Sequence, residues 1–203
     1  DHALLVHERE NLVDESEDSS EHYSYDADGR RIQEDWDENG DGAAELTKKL
    51  FYDADNRLSE VQRLGHGNSI DKREVMTFDA SGRVLHWDTL KGPEDQPFLR
   101  IAHSYDAAGN LDEREFDFDI DGTVEWRFLY DSDASGRMIY DGRDYNVNGS
   151  ASEEREFTWD EQGKRLSEAF LYKGNVAYEV GYSYDAAGRL ATVIYDHHDN
   201  PWF

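Results

Sequence analysis

Tyr184-Asp-Ala-Ala-Gly-Arg-Leu190 decides the fold, because the phrase returns along the whole chain. Earlier copies are Tyr25-Asp-Ala-Asp-Gly-Arg30, Tyr52-Asp-Ala-Asp-Asn-Arg57, Phe78-Asp-Ala-Ser-Gly-Arg83 and Tyr105-Asp-Ala-Ala-Gly-Asn110. Ser132-Asp-Ala-Ser-Gly-Arg137 and Trp159-Asp-Glu-Gln-Gly-Lys164 follow them. The leading positions 25, 52, 78, 105, 132, 159 and 184 lie 27, 26, 27, 27, 27 and 25 residues apart. A steady period of this length marks a repeat architecture and has to be read before any single element.

Working outward, each repeat holds a second turn. Three of them read Asp37-Glu-Asn-Gly-Asp-Gly42, Asp117-Phe-Asp-Ile-Asp-Gly122 and Asp144-Tyr-Asn-Val-Asn-Gly149; others use Gly65, Gly67 and Asn68, Lys91 to Pro93, or Lys173 to Asn175. Two turns in about 27 residues leave two runs of strand length. These runs alternate. Val124, Trp126, Phe128 and Tyr130 take one parity and Glu125, Arg127 and Asp131 the other, as half-buried strands require; Val176, Tyr178, Val180, Tyr182 and Tyr184 repeat the pattern. The expectation is an all-β protein of tandem antiparallel β-hairpins, about fifteen strands in one domain over residues 1–203, forming an elongated, twisted or spiralling sheet or solenoid.

Parity also predicts loop types. Three-residue loops ending in a left-handed Gly are expected at Ala186-Ala187-Gly188 and at Ile120-Asp121-Gly122. They would pair Tyr184 with Leu190, Asp185 with Arg189, Phe116 with Trp126 and Glu115 with Arg127. One conflict stands: Leu111 shares the parity of Tyr105, whereas Phe116 and Phe118 do not. A bulge in these strands, or burial on both faces, would account for it.

The phrase at 184–190 resembles the YD repeat of the Rhs/YD-repeat family, and the resemblance covers residues 20–195 with repeats longer than the usual YD unit. It implies β-hairpin sheets that spiral into shells around toxin domains or build large extracellular modules, some of them linked to carbohydrate or adhesion partners.

Composition narrows function further. Against 21 Lys+Arg stand 47 Asp+Glu, a net charge of −26, which disfavours nucleic acid and anionic lipid. Yet 5 Trp, 12 Tyr and 9 Phe are too many aromatics for an acidic disordered chain. No apolar run approaches the ~20 residues of a membrane helix. A mean hydropathy of −0.93, with Arg127 and Glu179 midway along strands, leaves no lipid-facing band for a barrel. Absence of Cys removes disulfides, thiolate nucleophiles and cysteine zinc sites.

The acidic second turns carry the strongest chemical signal. Closely spaced carboxylates and amides at a sharp turn suit Ca2+, which takes several oxygen ligands. The candidate ligands are Asp37, Asn39, Asp41 and Glu45; Asp117, Asp119, Asp121 and Glu125; and Asp144, Asn146 and Asn148, with Glu153 beside them. Asp117 is expected to face Glu125. Asp, Asn and Gly are also ordinary turn formers, so a purely structural reading stands beside the calcium one. At the end of the chain, Asp196-His-His-Asp199 offers ligands for zinc or another transition metal, but adjacent strand residues point to opposite faces, so the reading preferred is a solvated terminus. The aromatic ladder of Tyr23, Tyr25, Tyr52, Tyr105, Tyr182 and Tyr184 reads as core packing, with sugar stacking as the alternative.

No catalytic residue or organic cofactor is nominated: nucleophile-elbow, phosphate-loop and metalloprotease motifs are missing. The expected function is that of a non-enzymatic, secreted or cell-surface structural repeat protein, calcium-stabilised, assembling with itself as a filament or shell by edge-strand pairing near residues 3–14 and 189–200. Surface glycans or proteins are the other expected partners. A carbohydrate-binding adhesion module and a fragment of a toxin-enclosing shell are the alternatives.

Overall fold

The computed structural model describes residues 2–9 and 19–197; of residues 2–9 and position 66 it describes the backbone alone. Fifteen β-strands fill it: β1 His2–Arg9, β2 Ser19–Tyr25, β3 Arg31–Asp37, β4 Leu46–Tyr52, β5 Leu58–Leu64, β6 Ile70–Phe78, β7 Val84–Lys91 and β8 Gln96–Tyr105, then β9 Leu111–Phe118, β10 Trp126–Ser132, β11 Met138–Asp144, β12 Glu153–Trp159, β13 Arg165–Tyr172, β14 Asn175–Tyr184 and β15 Leu190–His197. Strand order is chain order from β1 to β15, without a crossover, in an open antiparallel sheet. Backbone contacts divide the chain into two compact units, residues 1–100 and 101–203.

The recurring phrase builds the first turn of each hairpin through a fixed set of contacts. In the last copy the Asp185 N–H donates to the Arg189 carbonyl at 2.9 Å and the Gly188 N–H to the Asp185 carbonyl at 2.8 Å, with Gly188 at φ +79°. This is the expected three-residue loop, and Tyr184 pairs with Leu190 as predicted. The aspartate locks it. In the first copy Asp26 Oδ1 accepts the N–H groups of Asp28 and Arg30, both at 2.9 Å, while its Oδ2 accepts Arg30 Nε at 2.7 Å. Asp53, Asp79, Asp133 and Asp185 repeat the arrangement with Arg57, Arg83, Arg137 and Arg189.

In four copies the cation of the phrase then reaches the aromatic residue of the next. Arg30 lies over Tyr52 at 5.0 Å, Arg57 over Phe78 at 4.5 Å, Arg137 over Trp159 at 6.0 Å and Lys164 over Tyr184 at 5.1 Å. Where the ring carries a donor, it returns a hydrogen bond to the turn before it: Tyr52 to the Arg31 carbonyl, Trp159 to that of Met138, Tyr184 to that of Arg165, at 2.8, 2.8 and 2.9 Å. One phrase therefore shapes its own turn and ties neighbouring hairpins together.

A bulge of the kind the parity conflict calls for follows the first turn of six other hairpins. Tyr184 pairs with Leu190 but Ser183 with Thr192, leaving Ala191 as an extra residue. Ile32, Ser59, Leu85, Ile139 and Leu166 are the extra residue at the same place in five other hairpins. Each bulge shifts the alternation by one residue just past the turn, so apolar residues on either side of it share a face.

Few hydrophobic residues are fully buried among the described residues. Leu64, Tyr130, Phe157, Ala177 and Val180 are the buried hydrophobics, and most ring systems are half-buried. The aromatics pack with one another along the sheet instead. Trp126 meets Phe118 edge-on at 4.8 Å and Tyr145 at 5.5 Å, and Phe170 stacks on Tyr178 at 5.3 Å. Gly142 leaves room for Tyr140, whose ring and hydroxyl would collide with an added Cβ.

Candidate functional site

The second turns hold the acidic candidates, and backbone amides organise them. Asp37, at the end of β3, is buried; its Oδ1 accepts the Gly40 N–H at 2.7 Å and its Oδ2 the Gly42 N–H at 2.8 Å. Asn39 Oδ1 accepts the Asp41 N–H at 2.9 Å, and Asp41 Oδ1 the Ala43 N–H at 2.8 Å. Glu45 closes the loop, taking the Glu38 N–H at 2.7 Å and the Asn39 amide at 2.9 Å.

The loop at 117–125 follows the same plan. Buried Asp117 accepts the N–H groups of Asp121 and Gly122 at 3.1 and 2.9 Å, and Glu125 accepts that of Phe118 at 2.7 Å. Phe116 pairs with Trp126 and Glu115 with Arg127, as predicted. The predicted three-residue loop at 120–122 is replaced by a wider one. Asp119, Ile120 and Gly122 have φ of +75°, +58° and +93°, and the Glu125 N–H closes on the Phe116 carbonyl at 2.9 Å. The reason is Asp117: satisfying two amides with one carboxylate holds the chain in a broad arc, and Glu125 caps that arc rather than pairing face to face with Asp117.

In the third loop Asp144 is fully buried and accepts the N–H groups of Asn146 and Gly149 at 3.1 and 2.7 Å. Burial acts to raise its pKa, but the amides of Gly149, Asn146, Asn148 and Val147 outweigh it and hold the carboxyl below its ordinary value. Asn148 Oδ1 accepts the Ser150 N–H at 2.9 Å. Position 152, the counterpart of Glu45 and Glu125, is Ser152, whose N–H closes on the Arg143 carbonyl at 2.7 Å. Glu153 therefore stands outside the loop and serves Arg143 and Tyr145, at 3.4 and 3.2 Å. The signal for this was the constant offset of eight residues from the first Asp to the closing residue.

Two groups bring ligand atoms within 4.8 Å of one another: Asp37, Asp41 and Glu45, and Asp117, Asp119 and Asp121. Glu125 is not part of the second group. Asp119 is exposed and accepts no hydrogen bond from the loop, so it alone of that trio is held by no amide. The carboxylates are thus turn builders first, with oxygen lone pairs left over for a hard cation. The terminal His198 and Asp199 lie outside the described residues.

The first turns show the same electrostatics. Asp26, Asp53, Asp79 and Asp185 are held below the ordinary carboxylate value, foremost by the backbone N–H four residues on. Asp106 and Asp133 are lowered foremost by the side chains of Asn110 and Arg137.

Within residues 101–203, a hollow of 170 Å³ opens over Asp141, Arg143, Glu153, Arg155, Phe170 and Tyr178. Asp141, Arg155, Phe170 and Tyr178 stand in one cross-strand row. In residues 1–100 the corresponding row reads Glu34, Lys48, Arg63 and Lys72, so the stacked rings are particular to the later unit.

No family model matches the chain, and no curated protein sequence matches it. Solved structures do. The crystal structure of TcdB2-TccC3 without its hypervariable C-terminal region aligns with 90% of this chain at 16% identity and a TM-score of 0.65. A second TcdB2-TccC3 structure aligns with 89% at 17% identity and a TM-score of 0.64. At such identities the likeness is one of β fold alone. In both cases the chain spans 9% of the length of its neighbour.

Proposed function

We propose that this chain is a non-enzymatic, wall-forming structural module that works outside the cell, a segment of a hairpin-repeat shell that encloses or shields another polypeptide. The observation that carries this reading is the hairpin sheet itself, similar over 90% of its length to a small part of a far longer TcdB2-TccC3 chain. The Rhs/YD-like turn phrase supports it, because in that family such hairpins make walls. So does the scarcity of fully buried hydrophobics among the described residues: half-buried faces gain from being covered by a neighbour or by contents. Acidic residues have architectural work in the first turns and in the three acidic loops, which favours scaffold over catalyst. Calcium at the 37–45 and 117–125 loops would stiffen the wall.

The wall extends by strand addition at its edges. Leu190, Ile194 and Tyr195 of edge strand β15 are 55, 64 and 65% exposed, the apolar outer positions a further strand would cover. Sedimentation velocity over a wide concentration range tests this: larger species are expected, and Ile194→Lys, which places a charge on the edge, should suppress them. A chain that stays monomeric at the highest concentration overturns the edge-pairing reading. Carbohydrate binding is the second reading, favoured by the hollow floored by Phe170 and Tyr178.

A further inference from the structure

One row of the sheet in residues 1–100 runs from buried Glu34 into four consecutive cations. Lys48 lies opposite Arg63, Arg63 opposite Lys72 and Lys72 opposite Lys91, across four successive strands, β4 to β7. Directly opposed like charges destabilise a sheet. They are the more unexpected in a chain with 47 acidic residues against 21 Lys and Arg. Local carboxylates answer them loosely: Glu34 is 3.5 Å from Lys48 and Asp71 is 3.6 Å from Arg63, in pairs whose cations are 40 and 50% exposed. Glu74 holds Lys72 at 2.6 Å, and Lys91 lies 3.3 Å over the Phe98 ring. At the usual strand separation the four cations cover roughly 14 Å. Apolar side chains flank them on the same face, among them Leu50, Val61, Met76 and Trp87, the last 39% exposed.

Residues 101–203 carry the opposite pattern. Asp131 lies opposite Tyr140, Tyr140 opposite Glu156, Glu156 opposite Ala169, Ala169 opposite Glu179 and Glu179 opposite Asp196. Four carboxylates thus share one row with no cation in it. The Tyr140 hydroxyl within it is pushed up to about 12, by burial first and then by Glu154 beside it.

We propose that the basic row of one copy docks on the acidic row of a second copy, so that copies stack face to tail through complementary charge. The contact joins two different surfaces and is therefore heterologous, able to propagate from copy to copy. It is separate from edge pairing and does not depend on it. The net charge of −26 opposes any association at long range. That repulsion is screened beyond about 8 Å at physiological salt, whereas ion pairs formed at contact lie inside that distance.

Sedimentation of the full chain at about 0.01, 0.15 and 1 M NaCl separates the two contacts, because the Debye length there is roughly 30, 8 and 3 Å. Face stacking is expected to be strongest at the middle concentration and lost at the highest. Edge pairing, held by backbone hydrogen bonds, should strengthen steadily with salt and vanish in Ile194→Lys. In that edge-blocked background, Arg63→Glu with Lys72→Glu, or Glu156→Lys with Glu179→Lys, should each weaken stacking roughly tenfold or more, and an equimolar mixture of the two should restore it. The first pair turns two of the row's three like-charge pairings, those with Lys48 and Lys91, into opposite-charge ones, so its melting temperature should not fall, which separates lost docking from lost folding. Stacking that ignores both pairs of changes, a mixture that does not recover, or no association at any salt overturns the proposal.

Discussion

Substituting Gly29 by Ala, Asn and Val in turn changes backbone strain and almost nothing else. Gly29 has φ +80°, and an added Cβ would meet no atom within 4 Å, so no clash contributes. A left-handed conformation costs an L-residue about 1–2 kcal/mol. Losing the freedom of glycine in the unfolded chain returns about 0.4–1 kcal/mol. Ala should therefore cost about 1 kcal/mol net, and Val about 2 because its β-branch is poorly tolerated there. Asn should cost close to nothing, since its short polar side chain visits this region readily. The chain contains its own control: Asn56 holds the same turn position at φ +62°. Hydrogen exchange of the β2 and β3 amides is the suitable assay, because the stability of a repeat array is largely a sum of local terms. Exchange there should accelerate about fivefold for Ala and up to about thirtyfold for Val. If Asn proves as costly as Val, or if Val costs nothing, the assignment of this phrase to a left-handed turn lock is wrong.

Two further outcomes follow from the turns. Asp26, Asp53, Asp79, Asp106, Asp133 and Asp185 all have depressed pKa values in the folded state, so their contribution is present above the unfolded aspartate value of about 3.9 and disappears as pH falls through the folded values. Unfolding on acidification should begin below about pH 4, and Asp133→Asn should shrink that acid-dependent loss when melting temperature is followed against pH; an unchanged profile would show that these locks carry no net stability. If the acidic loops hold calcium, millimolar calcium should raise the melting temperature and chelator lower it. Asp119→Asn should blunt the response without altering the calcium-free value, because Asp119 binds no loop amide.

What was legible in the residues was whatever is decided locally. The first turn could be read completely, because Asp185, Gly188 and Arg189 each have a role set by neighbours within four positions. The cross-strand pair of Phe116 and Trp126 was read from alternation and a three-residue loop, and it holds in the wider loop because both loops are centred on Asp121. The bulge was not legible. It falls on Ile32, Ser59, Leu85, Ile139, Leu166 and Ala191, which share no residue type, and its only trace was a parity conflict around Leu111. The loop at 117–125 was misjudged because turn rules count residues, whereas a buried carboxylate that satisfies two amides sets its own loop length. The basic row could not be seen at all: positions 48, 63, 72 and 91 have no period, and only the register of four strands aligns them.

These failures share a cause with the stability of the fold. In a protein with a layered core, buried apolar area dominates, and sequence pattern reports it well. Here the described residues bury few hydrophobics fully, so order rests on many small terms: turn locks, cation–ring contacts and rows of side chains across strands. Each such term is worth at most about 1 kcal/mol, so no single row decides whether the sheet forms. That tolerance is what permits four cations to stand opposite one another in residues 1–100. A core-based fold would not absorb such a cost without a compensating cavity or charge. A hairpin array can place unfavourable rows wherever a surface is needed, because the turns on either side hold the strands in register regardless. The anomalous row is thus evidence about surfaces rather than about folding. If that is right, Arg63→Glu with Lys72→Glu raises the melting temperature of the isolated chain while weakening its stacking on a second copy. A fall in both would mean that the row stabilises the sheet and that its charge serves the fold.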